Sequence, residues 1–150
     1  MSVQDLFGIE LPILQAPMAG VQGSALAVAV SQAGGLGALP CAMLSPEAIR
    51  SELAAIRAGT DRPYNLNFFC HRPPEPDAAR EAAWRATLAP FYREHAIDPA
   101  AIPAGPGRTP FSAELAGLIE AFRPPVVSFH FGLPSAELVA RVKRWGARVL

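Results

Sequence analysis

The 150-residue chain is 51% hydrophobic and 17% charged, enough apolar material for one sizeable core and too much for a disordered segment. Its 13 basic residues cancel its 13 acidic ones, so no net field draws it to nucleic acid or to an anionic membrane, and a small molecule is the expected partner. The two cysteines, Cys41 and Cys70, stand far apart and outside any CxxC pattern, so no zinc site, other metal or disulfide framework is signalled and a reducing cytosol is the expected setting.

The first ten residues, MSVQDLFGIE, carry acids where a signal peptide would carry a basic region and an apolar run. No apolar stretch reaches about 18 residues, so a membrane span is not expected. Residues 11–15 form a short apolar run closed by Pro17, which reads as a buried parallel strand. The Ala/Val/Leu-rich run that follows predicts a helix with Ser24 as N-cap, apolar nearly all round and therefore well buried, stopped by Gly34 and Gly35.

Residues 36–39 predict the next strand. Ser45, Pro46 and Glu47 then supply an N-cap, a first-turn proline and a first-turn acid for a helix ending near Gly59. Residues 64–69 alternate, with Asn65 and Asn67 on one face and Leu66 and Phe68 on the other, as a third strand. Residues from about 70 to 125 break this rhythm. They read as one long crossover with an insertion: a helix from Asp77 to about Tyr92, a Pro/Gly-rich link over 102–110 and a second helix over 112–122. Residues 126–129 resume as a fourth strand, Pro134 and Ser135 open a helix to about Trp145, and residues 148–150 begin a fifth strand.

Strands alternating with helices imply right-handed crossovers and a parallel sheet, doubly wound or barrel. A complete barrel typically needs about 250 residues. The chain therefore reads as one domain over residues 1–150, the N-terminal half of an α/β TIM-type (β/α)8 barrel with about four β/α units and the insertion at 70–125.

Functional residues of parallel α/β folds gather at the carboxyl ends of the strands, and three unusual segments fall there. In the first, QAPMAG at 15–20, a rigid proline and a flexible glycine flank Met18. Backbone amides and a polarisable side chain at this point suit a flat aromatic ring, although a plain strand-ending turn has the same composition. In the second, Asn67 offers an amide that both donates and accepts, for a ring edge or phosphate or for an Asx turn. In the third, His130 follows Val126 and Val127 and precedes Phe131 and Gly132. Its imidazole would project above the sheet as a proton acceptor or anion partner, or serve as a satisfied strand-end histidine. His71, beside Cys70, lacks a third residue at metal-site spacing and reads as structural or superficial, and His95 as solvated. Trp84, Phe91 and Tyr92 give the insertion aromatic surface, for a lid or for packing.

Taken in order, LPILQAPMAG, AGGLGALP, YNLNFF and VSFHFG resemble the N-terminal half of the nitronate monooxygenase family, formerly called 2-nitropropane dioxygenases. The resemblance covers nearly the whole chain. QAPMAG alone is similar also to flavin-dependent enoyl-ACP reductases and, more distantly, to inosine monophosphate dehydrogenase; NLNFF with VSFHFG makes the match more specific. The resemblance implies a TIM-type barrel holding non-covalent FMN, which oxidises alkyl nitronates of the propionate 3-nitronate type with O2. It implies that Pro17, Met18 and Ala19 line the flavin, that Asn67 hydrogen-bonds it, and that His130 contacts the nitronate or deprotonates a neutral nitroalkane. The family's glycine-rich phosphate loops follow later strands than these, so residues 1–150 alone are expected to bind FMN poorly and to be inactive. Two alternatives remain: an FMN enoyl-ACP reductase fed by NADH, and a non-catalytic half-barrel whose open edges pair in a homo-oligomer.

Overall fold

A computed structural model describes residues 2–73, 75–102 and 108–150. The chain divides into two compact units, Met1–His71 with Arg108–Leu150, and Arg72–Gly107. The first unit carries a sheet of four parallel strands in sequential order, β1 (Gly37–Pro40), β2 (Tyr64–Phe69), β3 (Val126–His130) and β4 (Arg148–Val149). Its helices are α1 (Val3–Phe7), α2 (Ser24–Gln32), α3 (Pro46–Gly59), α5 (Ala113–Glu120) and α6 (Ala136–Arg144), and the second unit carries α4 (Ala78–Glu94) and a 3-10 turn, Pro99–Ala101. Four parallel strands, each reached through a helix, form the wall of a TIM-type α/β barrel, about half of its eight units.

Register decides what each face carries. Leu39, Leu66 and Val127 are level across the sheet and project to the helices, joining Phe68, Ile49, Leu53, Ile56, Leu115 and Ile119 in one core. The opposite face, the inner one of a barrel, takes Ala38, Asn65 and Val126 at one level, Pro40, Asn67 and Ser128 at the next, and then Phe69 and His130. A strand's side-chain period of two separates the apolar set from the polar set.

The helices form where the sequence indicates, for identifiable reasons. Ser45 Oγ accepts from Ala48 N at 3.2 Å ahead of Pro46, and Ile49, Leu53 and Ile56 form the buried stripe of α3. Ser112 and Ser135 cap α5 and α6 in the same way. The α2 helix packs so closely on β1 that a Cβ at Gly37 would lie 2.0 Å from the Ala27 carbonyl oxygen. Ser31 fastens this contact: its hydroxyl accepts from Gly37 N at 3.1 Å and donates to the Pro63 carbonyl at 2.8 Å. Arg57 donates to the carbonyls of Ala121 and Phe122 just past α5 and lies over the Phe122 ring, satisfying acceptors that a helix end leaves open.

Four features depart from the sequence reading. The segment at 11–15 makes a single parallel bridge, Leu14 to Leu36, and leaves Leu11, Ile13 and Leu14 exposed. It has a partner on one side only, and Pro12 has no N–H to give a ladder. The cap of α2 is Gly23, not Ser24, whose N–H is bound by Glu52 Oε2 at 2.6 Å; only Ala27 and Ser31 of that helix are buried, because β1 and α3 cover one face. The helix at 113–120 packs in the core of the first unit, and the separate unit is the narrower span Arg72–Gly107. The Pro/Gly-rich link at 102–110 lies largely outside the described residues. The fourth is α1, which the sequence reading passed over. Ser2 and Asp5 form a reciprocal capping box and Gly8 closes it at φ 69°. The helix delivers Phe7 and, after Gly8, Ile9 against Leu36 and Val126.

Gly37→Ala drives a methyl group into the α2 backbone. It is expected to cost about 1–3 kcal/mol or more, read as a lowered thermal midpoint or as loss of folded protein.

Candidate active site

The inner face changes character along the strands. Toward its amino end it is apolar, with Phe7 and Ile9 packed on Leu36 and on Val126, which is level with Asn65. In the middle it is polar: Asn65, Asn67 and Ser128 are 5%, 7% and 9% exposed, and both carboxamides donate to Ser128 Oγ, from Asn65 Nδ2 at 2.8 Å and Asn67 Nδ2 at 2.9 Å. Asn65 Oδ1 is buried without a partner among the described residues. Buried polar atoms are normally satisfied, so an orphan acceptor on the face of a barrel wall calls for a donor.

At the carboxyl end the face becomes aromatic. Cys70 N donates to the His130 carbonyl at 2.8 Å, which extends the ladder to the strand end. The Phe69 ring is the hub, 5.8 Å from the His130 ring, 4.9 Å from Phe131 and 6.3 Å from His71, with the Arg108 guanidinium 5.6 Å above it. His130 and Phe131 meet edge to face at 4.2 Å. Phe131 holds φ 64° and Gly132 φ 105°. A left-handed phenylalanine is an uncommon, strained conformation, and it turns the chain sharply above the strand end, leaving His130 exposed.

The first loop is built differently. The Gln15 side chain pairs with β1 as a strand would, donating to the Ala38 carbonyl at 3.2 Å and accepting from Ala38 N at 3.0 Å. Beyond it Gln22 Nε2 ties the loop to the Ala16 carbonyl at 3.0 Å, and Gly20 turns it at φ 85°. Pro17 and Met18 are exposed and Ala19 is half-buried.

Of the residues singled out from sequence, Asn67 and His130 lie on one face of adjacent strands, one side-chain step apart. Pro17, Met18 and Ala19 stand at the same end of the sheet in the loop beside β1, and no hydrogen bond or aromatic contact among the described residues joins them to the other two. Three participants escaped sequence reasoning as individuals. Asn65 was visible only as the companion of Asn67, Ser128 only within the segment ending at Gly132, and His71, read as structural or superficial, touches the aromatic hub with its Nδ1 buried and without a partner among the described residues. Two clefts, about 500 Å³ beside Leu6, Lys143 and Arg148 and about 280 Å³ beside Arg57, Tyr64 and Arg123, open at the other end of the strands. Among the described residues no group of three or more His, Cys, Asp or Glu could hold a metal ion, and no helix is long and apolar enough to cross a membrane.

A parallel wall that is apolar at one end and carries carboxamides, a hydroxyl and a histidine toward the other has the architecture of an α/β barrel, a fold whose members use the strand carboxyl ends for chemistry. The family model for nitronate monooxygenase matches residues 1–150, and the chain belongs to that family. It is 46% identical over 148 residues to a nitronate monooxygenase of Paraburkholderia phytofirmans, covering 97% of this chain and 40% of that protein. It is 42% identical over 149 residues to one of Pseudomonas aeruginosa, covering 97% and 42%. Among solved structures it is similar to the nitroalkane oxidase of Streptomyces ansochromogenes, with a TM-score of 0.78 and 32% identity over 98% of this chain and 41% of that one. FabK from Thermotoga maritima superposes with a TM-score of 0.66 at 26% identity, over 98% and 35%. The chain thus spans about 40% of the length of the curated relatives it matches.

The cysteines separate by burial. Desolvation pushes the Cys41 thiol far up and the half-buried Cys70 thiol up as well. A thiol held protonated is a poor nucleophile. Iodoacetamide near neutral pH is therefore expected to label Cys70 of the native protein slowly and Cys41 only after unfolding, with labelling accelerating as pH rises; rapid native labelling of Cys41 would contradict its placement.

Proposed function

We propose that this chain supplies the substrate-facing wall of an FMN-dependent nitronate monooxygenase, which oxidises alkyl nitronates of the propionate 3-nitronate type with O2. The observation that carries the reading is the shared face of Asn67, Ser128 and His130, with buried polar groups lying one side-chain step below an exposed imidazole. The residues fit a flavin. Asn65 Oδ1 is a buried acceptor with no partner among the described residues, and among them a Cβ built at Gly132, two residues past His130, meets nothing within 4 Å.

In this reading Pro17, Met18 and Ala19 lie along the flavin ring and Asn67 hydrogen-bonds its edge. Bound flavin supplies the redox capacity that links nitronate and O2, which side chains lack. The protein's part is placement and proton handling. His130 holds the anionic nitronate through an N–H, or removes the α-proton of a neutral nitroalkane when that is the substrate. Phe69 and Phe131 pack beside the imidazole and limit its motion. The apolar layer of Phe7, Ile9, Leu36 and Val126 lies toward the amino end of the same face.

In the full-length gene product, His130→Asn is expected to keep the bound-flavin spectrum while lowering kcat/KM for neutral nitroalkanes by ~10²–10⁴-fold, with a smaller loss for preformed nitronates. Unchanged turnover would remove His130 from the chemistry. Two further assays separate the reductase alternative: oxygen uptake with a nitronate and no pyridine nucleotide supports the monooxygenase, and anaerobic flavin bleaching by NADH supports the reductase.

A further inference from the structure

Two carboxamides and one hydroxyl share the middle of the inner face at a depth where solvent does not satisfy them. A serine oxygen accepts two hydrogen bonds, and both are taken at Ser128, by Asn65 Nδ2 at 2.8 Å and Asn67 Nδ2 at 2.9 Å. The Asn67 nitrogen also leans toward the Ser128 carbonyl at 3.5 Å. Each carboxamide thus turns its nitrogen to β3 and its oxygen away. Asn65 Oδ1 is buried and unpartnered, and Asn67 Oδ1 takes no hydrogen bond among the described residues. The terminal torsion of asparagine is broad and roughly two-fold, so nothing intrinsic to Asn67 distinguishes oxygen outward from nitrogen outward. Ser128 does: its hydroxyl could donate as well as accept, but its carbonyl, 3.5 Å from Asn67 Nδ2, only accepts and so keeps the nitrogen on that side.

We propose that Ser128 is a positioning residue: with its hydroxyl and its carbonyl both accepting on the side of Asn67 Nδ2, it holds that carboxamide with its oxygen presented as an acceptor, selecting an N–H donor on the edge of the bound ring. Ser128 itself does not touch the ligand. The proposal rests on the flavin reading of the site. It goes further in assigning a polarity to the contact, an acceptor on the protein and a donor on the cofactor, and in naming the residue that sets it. The cross-strand register supports it, because Asn67 and Ser128 are direct partners in the parallel ladder and need no loop movement to meet.

The test is a double-mutant cycle in the full-length gene product, reading the FMN dissociation constant by fluorescence quenching and the visible spectrum of bound FMN. Ser128→Ala is expected to weaken FMN binding about tenfold, the worth of one oriented hydrogen bond, and to shift the flavin bands. Ser128→Thr, which keeps the hydroxyl, should restore both. In an Asn67→Ala background Ser128→Ala should cause no further loss, since Ser128 acts through Asn67. Full additivity of the two substitutions would overturn the proposal, as would a lower thermal midpoint with unchanged FMN affinity and spectrum, the mark of a structural role alone. If Asn67→Ala by itself leaves FMN affinity and spectrum unaltered, the flavin reading of Asn67 fails and the proposal with it, an outcome distinct from the other two. Should Ser128→Ala not fold, Ser128→Cys keeps the volume with a weak acceptor and carries the same expectation.

Discussion

Tyr64–Phe69 lies between Gly37–Pro40 and Val126–His130 in a ladder whose register admits no slip. Its odd-numbered asparagines find Ser128 and its even-numbered apolar residues find the helices. A shift by one residue would turn both carboxamides into the layer of Leu39, Phe111 and Leu115 and expose Leu66 and Phe68 on the inner face. Each stranded carboxamide would cost about 1–3 kcal/mol, on top of the lost burial. Two independent requirements, apolar on one side and hydrogen-bonded on the other, thus enforce a single alignment. The placement of His130 over Asn67 and Ser128 is a by-product of that alignment.

The helical layer joins the sheet through one apolar core, and side chains that bind backbone add direction to that packing. Ser31 bridges β1 to Pro63, Arg57 takes the carbonyls beyond α5, and Trp145 Nε1 donates to the Pro124 carbonyl at 3.1 Å. Arg141 joins α6 to α5 through Glu120 and the Ala113 carbonyl. Such bonds satisfy main-chain groups at element ends, and they orient the helices more sharply than apolar contact alone, which has no preferred direction. The strand ends that carry the site are therefore mounted on a directed framework.

Local chemistry made most of this legible before any coordinates. The serine, proline and glutamate ahead of α3 and the alternation of β2 each have one physical reading, and the helices and strands that follow them appear within a residue or two of expectation. What could not be read depends on neighbours. The run at 11–15 has the composition of a buried strand but is covered on one side only, and composition does not say how many partners a strand has. Asn65 and Ser128 are unremarkable residues until the register between β2 and β3 sets them 2.8 Å apart. His71 joins the aromatic hub only because β2 and β3 end at the same level. The α1 helix is the exception, since Ser2, Asp5 and Gly8 spell out both of its ends in the sequence.

That small helix has a consequence beyond closing one end of the wall. With Phe7 and Ile9 set beneath the carboxamides, the inner surface runs from a hydrocarbon-like floor to a solvated rim over the length of a five- or six-residue strand. The side chains of the inner face itself grow more polar from Phe7 and Ile9 toward His130, so a charged group is favoured at the rim, whereas an uncharged planar group loses little by settling deeper. An amphiphilic guest would be sorted end for end before making any specific contact, its charge kept at the histidine and its flat body carried inward.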